Sequence, residues 1–154
     1  MGAVATPVAV VTCMDGERPH GTTVSAFTSL SLDPPMVVVS LDRNSDLLKL
    51  IRRTRRFGVN VLSSEQSEIA SVFARKGTDK FADVAWDLDA ELPRVRGCVG
   101  WLACDVARLV RGGDHTLALG DIVAAGHLDL PPLTYHQRRF GTHNSFEMLS
   151  ADGG

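Results

Sequence analysis

The first apolar run, Val8 to Met14, is short and rich in valine, and it ends at Asp15-Gly16-Glu17-Arg18-Pro19. Such turn chemistry predicts a strand, a turn and a second strand from near His20, together a hairpin. Read as one extended segment, residues 20–32 put Thr22, Val24, Ala26, Thr28, Leu30 and Leu32 on one face. That face is expected to meet the core. The other face carries Thr23, Ser25, Phe27, Ser29 and Ser31, four hydroxyls and one aromatic ring. Asp33-Pro34-Pro35 forces a turn, and Met36 to Leu41 reads as a buried strand.

Helical spacing appears next. Asn44 or Ser45 is positioned to cap a helix running to about Arg53, with Leu47, Leu48, Leu50 and Ile51 as its apolar stripe. Asp46 in its first turn and Arg52-Arg53 in its last suit the helix dipole. A strand is expected over Phe57 to Leu62. Ser63-Ser64-Glu65-Gln66 reads as a capping box for a second helix that buries Ile69, Ala70, Val72 and Phe73. Residues 75–96 have weak periodicity and are expected to be loop. Two long strands, Cys98 to Arg111 and Thr116 to Leu128, are joined at Gly112-Gly113-Asp114-His115, and Leu133 to His136 is a last short strand after Pro131-Pro132. Strands outnumber helices and do not alternate with them regularly. This predicts a mainly β chain, an antiparallel barrel with a few flanking helices, rather than a doubly wound sheet.

The chain has 154 residues, 44% apolar and 22% charged, with a formal net charge of -2. The length fits one domain, residues 1–154, with a real core. Near-neutral charge argues against nucleic acid or a membrane surface as partner. No run approaches the roughly 20 apolar residues that span a bilayer, and no basic segment precedes the first apolar run. Cys13, Cys98 and Cys104 form no CxxC pair, which suits free thiols in a reducing compartment, so a cytoplasmic protein is expected. They read as small buried hydrophobes, and Trp86 and Trp101 as core or interface residues. No His or Cys pair has ligand spacing, so no metal is expected.

Rossmann, P-loop, GxSxG and HExxH patterns are absent from the sequence. Three features remain. The hydroxyl-bearing face from Thr23 to Ser31 suits a heteroaromatic ring with a polyol or phosphate tail, although a solvated strand carries the same residues. The loop Ser40, Leu41, Asp42, Arg43, Asn44, Ser45 opens a helix, and its amides with Ser45 and Arg43 make either a phosphate cradle or an ordinary cap. The Gly112–His115 turn is either a tight hairpin alone or one that presents an imidazole to a substrate. The run Arg52-Arg53-Thr54-Arg55-Arg56 reads as a solvated face that complements the helix dipole.

The stretches PVAVVT at 7–12, GTTVSAFTSLSLDPPMVVVSLDRNS at 21–45, RFGVNVL at 56–62 and GDHTLALGDIV at 113–123 resemble the short-chain flavin reductases. The resemblance implies an FMN-binding, Greek-key split β-barrel, dimeric, with flavin at the subunit boundary. It implies FMN or FAD as flavin, NADH or NADPH as hydride donor, and a flavin-dependent monooxygenase that receives the reduced flavin. By the same resemblance Thr23, Val24, Ser25 and Ala26 lie along the flavin ring and ribityl chain. Ser40 to Ser45 with Asp46 and Leu47 take the tail and phosphate, Ser45 in the phosphate-contacting place. Lys80-Phe81 matches a basic-aromatic pair near the flavin, and His115 the histidine tied to nicotinamide binding and hydride transfer. A flavin-binding module without turnover, and a flavin-dependent oxidase or oxygenase, are the other readings of the same barrel.

Overall fold

The computed structural model describes residues 2–77 and 79–146. Twelve strands and two helices follow one another as β1 (Thr6–Pro7), β2 (Ala9–Asp15), β3 (Arg18–Val24), β4 (Phe27–Leu32), β5 (Pro35–Asp42), α1 (Asp46–Thr54), β6 (Arg56–Val61), α2 (Ser67–Ala74), β7 (Trp86–Asp89), β8 (Leu92–Val95), β9 (Gly100–Gly112), β10 (His115–His127), β11 (Leu133–His136) and β12 (Arg139–Thr142). Seven of them form one antiparallel sheet in the order β3-β2-β6-β9-β10-β5-β4. The two edges of this sheet, β3 and β4, are consecutive in the chain and joined only by Ser25-Ala26. So short a link draws the edges together and curls the sheet into a barrel split at that point. The expected barrel class is therefore found.

The packing around β2 shows why the run from Val8 to Val11 is apolar at every position. Val8 and Val10 face a cluster with Leu62, Ala70, Phe73 and Leu133 beneath α2. Ala9, Val11 and Cys13 face the barrel interior with Val37, Val39, Leu41, Phe57 and Val59. A strand buried on both faces loses the period-2 alternation. Helix α1 seals one end of the interior with Leu47, Leu48, Leu50 and Ile51, the stripe read from the sequence. Its C-terminal basic run is largely paired rather than merely solvated: Arg53 meets Asp15 at 2.5 Å, and Arg56 meets Glu91 and Asp105, each at 2.9 Å.

Three expectations need correction. The segment 20–32 is two strands, not one. The bend at Ser25-Ala26 resets the alternation, so Phe27 packs on the core while Leu30 and Leu32 are 47% and 89% exposed. A bulge between Ser29 and Ser31 shifts the register again. Secondly, 75–96 is not all loop, because β7 and β8 form a hairpin. Its turn is built on Ala90 and Glu91 at positive φ, without the glycine or asparagine that would signal it. The buried Asn60 holds that hairpin on the barrel: its Nδ2 donates to the Val10 carbonyl at 3.1 Å, and its Oδ1 accepts the Val95 N–H at 2.7 Å. Thirdly, α2 starts at Ser67, so the Gln66 side chain, which accepts the Ser63 N–H at 3.0 Å, closes a turn ahead of the helix instead of capping it.

All three cysteines are free and buried, as read, and burial pushes the Cys104 thiol up to about 12. Trp101 is core, while Trp86 is half-buried against Phe81. Among the described residues no helix is long and apolar enough to cross a membrane. Because Asn60 satisfies groups from two other strands in a dry environment, Asn60→Ala leaves the Val95 N–H unpaired. The expected cost is about 2–3 kcal/mol of unfolding free energy. Urea unfolding measures it, and a loss below about 0.5 kcal/mol, the scatter of an ordinary surface change, would deny the anchoring role.

Candidate active site

The barrel's split forms a slot of about 240 Å³, lined by Thr22, Thr23, Val24, Ser25, Ala26, Ser40, Leu41, Asp42, Ser45 and His115. Three chain segments converge there for backbone reasons. β3 ends at Val24 and the chain bends, β5 runs out at Asp42 before α1, and β10 begins at His115. Pairing of β10 with β5 sets His115 opposite Asp42. The Arg43 N–H donates to the Asp114 carbonyl at 2.9 Å, which ties the Gly113-Asp114 turn to the start of α1. Gly113 sits at φ 67, as a two-residue hairpin turn with glycine first requires.

The loop before α1 is both cap and donor array. Asp42 Oδ1 accepts the Asn44 N–H at 2.7 Å and the Asp42 carbonyl accepts the Ser45 N–H at 3.1 Å. Ser45 Oγ then accepts the Leu48 N–H at 3.1 Å. A hydroxyl used as acceptor keeps its own proton to donate. The first helical amides, Asp46 and Leu47, have no carbonyl one turn back, and the dipole favours an anion in front of them. The sequence left cap and phosphate cradle as alternatives. The geometry makes them compatible, since the cap uses the oxygen and leaves the proton.

A larger groove of about 630 Å³ adjoins the slot and shares Thr22, Asp42 and Ser45 with it. It is walled by Arg18, Pro19, His20 and Gly21 of β3, by Asn44, Asp46 and Leu47 at the start of α1, and by Ala74, Arg75, Lys76, Gly77, Asp79, Lys80 and Phe81 after α2. Lys80 Nζ donates to the Phe73 carbonyl at 3.1 Å and the Gly21 carbonyl at 3.3 Å, bridging α2 to β3. Partial burial lowers the pKa of its ammonium from the ordinary lysine value. Phe81 packs edge-on against Phe73 with centroids 4.7 Å apart and is 7% exposed.

Of the residues singled out from the sequence, Thr23, Val24, Ser25, Ala26, Ser40, Leu41 and His115 line the slot, Asn44, Asp46, Leu47, Lys80 and Phe81 the groove, and Asp42 and Ser45 both. Arg43 lines neither and contributes through its backbone. The hydroxyl row is not continuous. Thr23 Oγ1 donates to the Ala70 carbonyl at 2.7 Å and so serves α2, while Ser29 and Ser31 lie on β4 outside both cavities. Sequence reasoning missed Thr22, the 18–21 stretch and the 74–77 stretch. Arg18 was read only as part of a turn, and Arg75 and Lys76 only as part of a loop.

His115 is half-exposed, and its Nδ1 is 2.8 Å from Asp114 Oδ1. The His115 hydrogen bond holds the Asp114 carboxyl below its usual range, so the carboxylate is ionised and orients the ring. That leaves Nε2 to act on a ligand. The donor set suits a phosphate-bearing heteroaromatic molecule: amides and a hydroxyl proton at a helix start, strand-end backbone beside a slot, and one oriented imidazole.

Residues 1–143 match the flavin reductase like domain. The chain is 38% identical over 141 residues to the reductase component of a 4-nitrophenol 4-monooxygenase/4-nitrocatechol 2-monooxygenase from Rhodococcus opacus, covering 92% of this chain and 76% of that protein. It is 35% identical to an FMN reductase (NADH) from Agrobacterium fabrum, covering 92% and 81%. Among solved structures, the NADH:FAD oxidoreductase of Streptomyces globisporus superposes with a TM-score of 0.87 at 34% identity, over 94% of this chain and 89% of that one. The fold is that of a split antiparallel barrel, and this chain belongs to the flavin reductase like family.

Ser45 is the test of the slot. Replacing it by glutamate sets a negative charge where the helix start favours a phosphate. Ser45→Glu is expected to weaken FMN binding at least tenfold, about 1.4 kcal/mol. Fluorescence titration reads this directly, and an unchanged affinity would remove Ser45 from the site.

Proposed function

We infer that this chain is an NADH- or NADPH-dependent flavin reductase that supplies reduced FMN or FAD to a partner flavin-dependent monooxygenase. The single observation that carries the site assignment is the convergence of the strand-end slot, the Ser45 helix start and the Asp114-oriented His115. The Rhodococcus opacus relative, named as the reductase component of a monooxygenase, supports the partner.

Bound flavin supplies the chemistry, acceptance of a hydride from the nicotinamide. The chain's own residues bind and orient. Thr23 to Ala26 and Ser40 to Asp42 line the slot together, with the Ser40 N–H donating to the Ala26 carbonyl, and would hold the flavin ring beside these strand ends. The Ser45 hydroxyl, with the Asp46 and Leu47 amides beside it, would hold the flavin phosphate by hydrogen bonds. Asp114 fixes the His115 ring, whose Nε2 would hold the nicotinamide carboxamide or a proton at the slot. Two reactants held in register need little more from the protein, since orientation alone accounts for much of such a barrier.

Dimerisation and a cytoplasmic setting complete the reading. Leu30 and Leu32 stand exposed on the edge strand that borders the split, an apolar surface that a second copy would cover while closing the slot. Three free, buried cysteines are consistent with a reducing compartment.

Anaerobic mixing of NADH with FMN or FAD tests the activity: catalytic loss of oxidised-flavin absorbance is expected, and tight flavin binding without turnover would make the chain a binding module. His115→Ala is expected to slow reduction by on the order of tenfold to a hundredfold. FMN affinity should change less than about threefold. Stopped-flow absorbance at saturating flavin separates the two, and lost binding with a normal rate for bound flavin would make His115 a flavin ligand. Light scattering is expected to show a dimer at micromolar concentration and a monomer for Leu32→Asp. A wild-type monomer with full activity would contradict the shared site.

A further inference from the structure

Charge is unevenly placed around the slot. Among the described residues that line it there is no lysine and no arginine, and Asp42 is the one carboxylate. The cations Arg18, Arg75, Lys76 and Lys80 wall the neighbouring groove instead, and Arg43, next in the chain to Asp42, lines neither cavity. Cross-strand register sets Asp42 directly opposite His115. The His115 Nδ1 is already engaged by Asp114 Oδ1 at 2.8 Å, so two carboxylates stand beside one imidazole. Asp42 Oδ1 accepts the Asn44 N–H at 2.7 Å, which fixes this exposed carboxylate where slot and groove join.

We propose that Asp42 makes the slot bind oxidised flavin more tightly than reduced flavin, and so drives release of the reduced product. The inference rests on the flavin reductase reading of the slot. In that reaction the nicotinamide C4–H bond breaks, its hydrogen and electron pair form the N–H bond at flavin N5, and the nicotinamide is left as a cation. A neutral ring that gains a hydride becomes an anion. The phosphate carries the same charge before and after, so the difference between the two states falls on the ring. Sites that favour a developing anion supply cations or aimed donors for it. This slot holds a carboxylate and neither lysine nor arginine, so the reduced ring is the disfavoured form. Solvent around the exposed Asp42 screens the repulsion, which keeps the expected effect moderate. A protein that hands reduced flavin to another is served by this difference, because each turnover weakens its hold on its own product.

Reductive titration of bound FMN against a dye of known potential tests the proposal, with fluorescence titration of oxidised FMN beside it. The shift in midpoint potential on binding gives the ratio of the two dissociation constants. The wild type is expected to hold reduced FMN about tenfold more weakly than oxidised FMN, which lowers the two-electron potential of the bound flavin by about 30 mV relative to free flavin. Asp42→Asn keeps an acceptor for the Asn44 N–H and removes the charge, and its ratio should fall below about threefold. Asp42→Glu keeps the charge and should keep the ratio within about twofold of the wild type. Repulsion between the carboxylate and the phosphate enters both redox states alike and cancels in the ratio. Thermal melting checks that each variant is folded. A wild-type ratio at or below one, or the same ratio in Asp42→Asn as in the wild type, would overturn the proposal while the reductase reading stands. A fall of the ratio in both variants would overturn it too, by making side-chain shape the cause in place of charge. A wild type that binds no flavin would bring down both readings.

Discussion

Two residues, Ser25 and Ala26, join the first and last strands of a seven-stranded antiparallel sheet. A link of that length reaches about 10 Å at most, so β3 and β4 have to come together at one corner whatever the rest of the sheet does. The barrel closes there by chain connectivity more than by ladder hydrogen bonds, and the unpaired strand ends leave a slot. The Ala26 carbonyl accepts the Ser40 N–H at 2.8 Å, so the corner is held to β5 just before that strand gives way to α1. Closure, the slot and the helix start are thus consequences of one short bend.

The surrounding core holds that corner still. β2 has apolar side chains on both faces, against the barrel interior and against α2. Gly21 lets α2 come close, since a Cβ there would lie 2.9 Å from Phe73 Cε1. Lys80 then bridges the end of α2 to β3 through two carbonyls, and the groove lies between these pieces. The cations of the groove lie at the start of β3 and just after α2, with exposed side chains.

The site adds little covalent chemistry of its own. The chain's three buried thiols lie outside it, each with its pKa raised by burial, and its imidazole is oriented by a carboxylate rather than activated for attack. What the chain provides is placement: a cap hydroxyl with a spare proton, two strand ends, and a turn clamped by the Arg43 amide. Such an arrangement serves a reaction whose electrons move between two bound small molecules.

Much of this was legible in the residues themselves. The leucine stripe and serine cap of α1, the valine-rich β2, the long β9–β10 hairpin with its glycine turn, and most slot residues follow from local periodicity and turn chemistry, which are properties of neighbouring residues. The β7–β8 hairpin was not legible, because its turn uses Ala90 and Glu91 and its anchor is Asn60, thirty-five residues from the Val95 amide it accepts. Nor was the inward turn of Phe27 and the exposure of Leu30 and Leu32, because strand alternation is not carried across the bend at Ser25-Ala26. The groove was hidden for the same reason. Arg18 and Lys76 are far apart in sequence and look like solvated charge until β3 and the end of α2 are packed side by side. Local spacing determined which elements form; long-range closure of the sheet decided which of their faces meet, and hence where the site lies.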